Sequence, residues 1–311
     1  NFVHLGFRSK KFLLQSVSVS CSLSEASIPN RRMLQTSLGK YLAPTSMGAG
    51  YAIAKVLLLR WFDAELALLQ DFTMQFMAGV LIGFSLRPVV RVIYWKPCTG
   101  FMMISLTMLV FGSSGNLLLH YIWGTPMDPG YWAVFKAESL TALIIGALAL
   151  VLLPPPQHNI SIGWIFRRVR NEMNSLLLGK LLICGGFQVI LFFGLQAWLD
   201  DTMIAVGFSE RIQEMMALPP LDFQDKILIA GIHGVLTAIL VWLLSMVFLR
   251  SFFEQLVVIG SLAFVLGIFA PAFANFQQIE PLLLVDQIFI GLCRTFALIG
   301  FAIWMFRRPL E

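Results

Sequence analysis

Charge is scarce in this chain. Only 13% of its 311 residues are Asp, Glu, Lys or Arg, about half of the ~25% that soluble domains carry and too few to coat a soluble globule of this length. Cysteine is scarce as well. Cys21, Cys98, Cys184 and Cys293 form no C-x-x-C pair, so structural zinc, c-type haem attachment and a disulfide framework are unsupported, and no metal ligands are assigned. The common catalytic motifs are also missing. There is no phosphate-binding glycine loop followed by Lys and Ser or Thr, no His-Glu-x-x-His and no Gly-x-Ser-x-Gly turn. No soluble domain exists to house a nucleotide, and no convincing intramembrane protease constellation falls in the apolar segments. The chain therefore reads as a non-enzyme, with no catalytic residue and no cofactor assigned.

What is abundant is apolar length. Hydrophobic residues make up 58% of the chain and its mean hydropathy is +0.80. Runs of about twenty apolar residues recur, each long enough to cross a hydrocarbon core of about 30 Å. Eight spans are expected, at 41–59, 73–94, 99–121, 133–153, 178–198, 226–249, 252–275 and 281–305. Backbone polar groups in lipid must be satisfied internally, so the spans should be helices. A transmembrane barrel would instead show alternating segments of about ten residues. The expected class is thus an all-α polytopic membrane protein, with the lipid bilayer as its first partner.

The net charge of +5 is not a nucleic-acid signal, because of where the charge lies. Arg31, Arg32, Lys40, Arg87, Arg91, Lys96, Arg167, Arg168, Arg170, Lys180, Arg250, Arg307 and Arg308 all fall on one side of the eight-span arrangement. The other side holds most of the acids, among them Asp63, Asp71, Asp200, Glu210, Asp222 and Glu280. The positive-inside rule then places both termini in the cytoplasm, with the chain in a bacterial inner membrane or an equivalent energy-transducing membrane.

Residues 37 to 309 also read as one four-helix unit written twice. Gly39-Lys40, Trp61, Asp63, Asp71-Phe72, Gly79, Gly112, Thr141, Gly146 and Pro154 are matched in order. Their partners are Gly179-Lys180, Trp198, Asp200, Asp222-Phe223, Gly231, Gly267, Thr295, Gly300 and Pro309. The offset starts near 140, jumps to 151 after the Trp and ends near 155. An even number of spans per unit inserts both copies the same way up, as two tandem parallel repeats. The organisation is then a basic, Ser-rich extension at 1–32, a first repeat at 33–154, a linker at 155–177 and a second repeat at 178–311. The extension has the composition of a transit peptide, but its weak periodicity favours translated sequence upstream of a start at Met33. The linker carries Trp164, Ile165 and Phe166 among arginines, the pattern of an interfacial amphipathic helix.

Five polar residues stand out within or beside the spans: Arg294, Asp286, Asn116, Glu138 and His233. Arg294 falls near mid-membrane, where an unpaired charge costs ~3 kcal/mol or more. Asp286 lies two turns earlier but ~80° round the helix, and Glu138 and Glu254 are alternative partners. A carboxylate pair, a subunit contact and an anion or coupling-ion site all satisfy Arg294. Lys55, near a helix end, is expected to snorkel outward. His233, flanked by glycines, suits either a bond to a neighbouring helix or a haem or chlorin. Gly112 and Gly115 in the third span, and Gly267 and Pro271 in the seventh, mark helix breaks at matching places, the kind of interruption that lines transporter sites. Kinks or close packing account for the same residues. The leading expectation is a transporter or permease for a small polar or anionic solute. The alternative is a non-catalytic or cofactor-holding subunit of a larger membrane complex, or a homo-oligomer, meeting partners through its glycine seams.

Overall fold

A computed structural model describes residues 37–62, 68–92, 96–114, 131–153, 161–205, 223–247, 251–274 and 281–306. Every regular element among them is helical. In chain order they are α1 (Ser37–Trp61), α2 (Leu68–Val92), α3 (Pro97–Thr107), α4 (Tyr131–Leu152), α5 (Ile162–Glu172), α6 (Ser175–Ala205), α7 (Phe223–Val247), α8 (Phe252–Phe264) and α9 (Pro281–Phe306). Two of them widen before they end. α3 continues into a π-helical stretch at Met108–Ser114, and α8 into one at Val265–Phe269 followed by a last turn at Ala270–Ala274.

Among the described residues, seven helices are long and apolar enough to cross a membrane, in α1, α2, α4, α6, α7, α8 with its extension, and α9. The protein is a polytopic membrane protein. The remaining expected span, 99–121, is represented by the shorter apolar helix Pro97–Gly112, and residues 115–130 lie outside the described set. Outward faces carry large apolar side chains, with Leu57, Val151, Leu182, Ile190 and Trp304 all more than half exposed, as lipid requires. Two buried hydroxyls inside the apolar helices fold back on their own helix. Thr107 donates to the Met103 carbonyl at 2.7 Å and Thr141 to that of Ala137 at 2.8 Å, which satisfies a donor that lipid cannot.

Local chemistry sets the helix starts. Pro97 opens α3, where its missing N–H costs nothing. Ser251 closes a capping box on α8: its hydroxyl accepts from the Glu254 N–H, and the Glu254 carboxylate accepts from the Ser251 N–H, both at 3.3 Å. Ser251→Ala is expected to lower unfolding free energy by about 1 kcal/mol, read from denaturant titration in mixed micelles. α5 begins at Ser161, whose hydroxyl accepts from the Trp164 N–H at 3.3 Å. Its inner face buries Ile165 and its outer face exposes Phe166, Arg167 and Arg170. Glu172 fastens the helix down, pairing with Arg168 at 2.9 Å and accepting from Trp242 Nε1 at 3.3 Å.

The helices pack as α1 on α2 and α4, α3 on α4, then α6 on α7 and α9, and α8 on α9. The first group meets the second where α2 packs on α8 and its extension, where the π stretch of α3 packs on α7, and where the two π stretches face each other. Glycines set the closest crossings, as small residues do in membranes. A Cβ on Gly79 of α2 would lie 2.6 Å from Tyr51 Cβ and 2.9 Å from Gly48 Cα of α1. A Cβ on Gly234 of α7 would lie 2.5 Å from Gln188 Cβ and 3.0 Å from Gly185 Cα of α6.

Candidate functional site

α6, α7, α8 with its π stretch, and α9 line a partly open cavity of about 40 Å³, to which the π stretch of α3 contributes Phe111. Its polar lining is Arg294 and Thr295 from α9, Gln188 from α6, and His233 and Thr237 from α7. Its apolar lining includes Phe192, Ala263, Ile268, Leu298 and Ile299. Arg294 lies midway along α9, with its guanidinium carbon 5.5 Å from the centroid of the Phe192 ring. That face offers the cation an electrostatic partner but no hydrogen-bond acceptor. No carboxylate among the described residues pairs with Arg294.

Three further polar atoms of this lining are buried without a partner among the described residues: Gln188 Oε1, His233 Nδ1 and Thr237 Oγ1. Buried polar atoms in native proteins are nearly always satisfied, and here three of them line the cavity that holds the Arg294 cation. His233 is anchored separately, by a hydrogen bond to the backbone of Val110. Since Nδ1 is unpartnered, that bond falls to Nε2. The π geometry explains why Val110 is available: a widened turn shifts the backbone ladder and leaves a carbonyl free for an outside donor. The π stretch thus orients the imidazole, and its Phe111 joins the cavity lining.

The structure distributes the other sequence candidates differently. Glu138 is not at this cavity; it forms an ion pair with Lys55, joining α1 to α4. Lys55 turns inward instead of reaching toward the surface, with its Nζ 5.7 Å from the Tyr51 ring centroid. Gly112 and Gly267 lie in the two π stretches, where the helix is widened but not interrupted, and Gly267 lines the cavity. Pro271 falls in the final turn of the α8 extension. Asn116 and Gly115 lie outside the described residues, as does the side chain of Asp286. Glu254 belongs to the α8 capping box at the helix start.

Gln188 and Thr237 were not distinguished by sequence reasoning. An uncharged amide or hydroxyl within an apolar run often bonds within its own bundle, so it carries little signal. Gln188 is nonetheless a usable clue, as a lone amide in the run 181–195. No group of three or more metal-ligating side chains occurs among the described residues. The chain matches no known family model, no curated protein and no solved structure.

Proposed function

We propose that this protein is a permease for a small polar or anionic solute, bound at Arg294. The observation that carries this reading is a mid-helix guanidinium opening on a cavity with three unpartnered polar atoms and no described carboxylate. A cation serving structure alone would be matched by a protein anion, as Lys55 is matched by Glu138. A cation serving a solute needs room and a polar rim beside it, and Arg294 has both.

The proposed architecture is two four-helix repeats of eight spans, inserted the same way up with both termini cytoplasmic. Packing supports it. α1–α2, α1–α4 and α3–α4 have counterparts in α6–α7, α6–α9 and α8–α9, and α2 against α8 has its counterpart in α7 against the π stretch of α3. The glycine crossings support it residue by residue. Gly48 and Tyr51 against Gly79 repeat as Gly185 and Gln188 against Gly234. This register is 137 residues through the first helix of each unit, the spacing of Trp61 from Trp198, and 155 from the second helix onward. It pairs Gly79 with Gly234, in place of the Gly231 that the sequence alone favoured. The π stretches meet reciprocally, Gly112 against the Leu266 carbonyl and Gly267 against that of Phe111, as a local two-fold demands.

The proposed sidedness has support at one end of the bundle. There Lys180 donates to the Met305 carbonyl at 2.7 Å, Trp242 lies 6.4 Å from Phe306, and Glu172 ties down the arginine-bearing α5. This gathers basic residues at a single rim, as the positive-inside rule requires of a cytoplasmic face.

The test is flux. Proteoliposomes diluted into iso-osmotic potassium nitrate or, in parallel, potassium formate, each with valinomycin, should swell faster than protein-free liposomes in at least one of the two salts, and Arg294→Gln should return that rate to the protein-free baseline. Equal swelling for wild type, variant and empty liposomes in both salts overturns the reading. Purification from the native membrane in mild detergent checks the rival. A visible absorbance band or stoichiometric partner chains would assign a subunit role instead.

A further inference from the structure

The two halves treat one position differently, and the difference identifies a ligand class. On the register above, Lys55 of α1 corresponds to Phe192 of α6. In the first half that position carries a cation, and α4 supplies the carboxylate of Glu138 to it. In the second half the position carries an aromatic ring, and the cation comes from α9 as Arg294, lying over that ring. The cation has thus changed helix, while no described carboxylate has replaced Glu138. The cavity opens at this place.

Resting on the reading of Arg294 as a solute site, we infer that the solute is a small monocarboxylate, of formate to acetate size. Its carboxylate stands toward Arg294 as Glu138 stands toward Lys55. One guanidinium neutralises one negative charge, and a second charge on the ligand would have no described counter-ion in an apolar surround. The planar guanidinium fork matches the two oxygens of a carboxylate. Gln188 and Thr237 line the same cavity with unpartnered polar atoms and can turn a donor toward a carboxylate, whereas His233 Nδ1, with the ring proton on Nε2, can only accept. The side-chain amide of Gln188 can present either its oxygen or its nitrogen, and the Thr237 hydroxyl can donate.

The apolar part of the lining selects the rest of the ligand. Phe111, Ala263, Ile268, Leu298 and Ile299 form an apolar surface that suits a C–H or methyl end. A spherical or fully oxygenated inorganic anion would leave polar surface against these side chains, which is costly. Size sets the upper limit. One water needs roughly 10–15 Å³ of such space, so about 40 Å³ suits a group of a few non-hydrogen atoms better than an aromatic acid.

The experiment is thermal unfolding of the purified full chain in mild detergent, at constant ionic strength, with sodium chloride as the reference salt. Sodium formate and sodium acetate should raise Tm with the logarithmic concentration dependence of binding at one site on the folded chain, sodium nitrate less, and sodium benzoate not at all. Arg294→Gln should abolish the shift. Thr237→Val, which keeps shape and removes one hydroxyl, should raise the Kd drawn from that dependence roughly tenfold, the effect of losing one hydrogen bond to a charged group. This second variant keeps the test decisive if Arg294→Gln does not fold. Equal Kd values in wild type and Thr237→Val, or no shift with either carboxylate, overturn the assignment. So does benzoate acting as strongly as acetate. Carboxylate binding without nitrate or formate flux would uphold this site and remove the permease reading. Arg294-dependent nitrate flux without carboxylate binding would keep the permease reading and refute the ligand class.

Discussion

Lys55→Met lowers the unfolding free energy by about 3–5 kcal/mol, and adding Glu138→Leu recovers most of that loss. The magnitude is that of breaking a buried ion pair on one side only. Both side chains are largely hidden, 12% exposed for Lys55 and 13% for Glu138. Removing the ammonium leaves a carboxylate between α1 and α4 without its cation, in surroundings where water cannot stand in. Met keeps most of the Lys stem, so the single variant isolates charge from volume. The double variant replaces the pair by apolar side chains, a change that is commonly neutral or stabilising once both desolvation penalties are gone. Denaturant titration of wild type, both singles and the double closes a thermodynamic cycle. Additive losses across the cycle would mean that the two groups do not act as a pair.

The second large effect concerns the reciprocal glycines, which the structure makes unequal. Gly267→Ala is expected to destabilise by about 2 kcal/mol, within the range for overpacking a filled interior, whereas Gly112→Ala should change stability by less than about 0.5 kcal/mol. A Cβ on Gly267 would sit 2.5 Å from the Phe111 carbonyl oxygen, a backbone atom that no rotamer change can move. A Cβ on Gly112 would first meet the Leu266 carbonyl oxygen at 3.5 Å, an ordinary contact. Because Phe111 and Gly267 both line the Arg294 cavity, Gly267→Ala should also weaken anion-dependent stabilisation, while Gly112→Ala leaves it intact. Equal costs at the two positions would contradict the described approach of the π stretches.

The candidate site was legible only in parts. Arg294 and His233 stand out because a charge or an imidazole in an apolar run is expensive, and both line one cavity. Glu138 stood out for the same reason, but its partner could not be read. Lys55 is 83 residues away, and nothing local shows which helix faces of α1 and α4 meet. Gln188 and Thr237 escaped notice because their cost depends on whether a neighbour satisfies them. Gly112 and Gly267 were visible as disturbances in two helices. A glycine does not say whether a helix breaks, kinks or widens, and the choice here depends on two backbones pressing together.

Composition and run length alone determined that this chain is a set of membrane-length helices, because a bilayer enforces one length and one backbone solution on every segment. Charge also spoke at the level of sequence, since lysines and arginines at span ends bear on which way a chain inserts. Only the tertiary structure decided that Lys55 has a protein anion beside it while Arg294 opens on a cavity. That distinction rests on which side chains from distant helices share one small volume, and a run of apolar residues looks the same whichever face it turns inward.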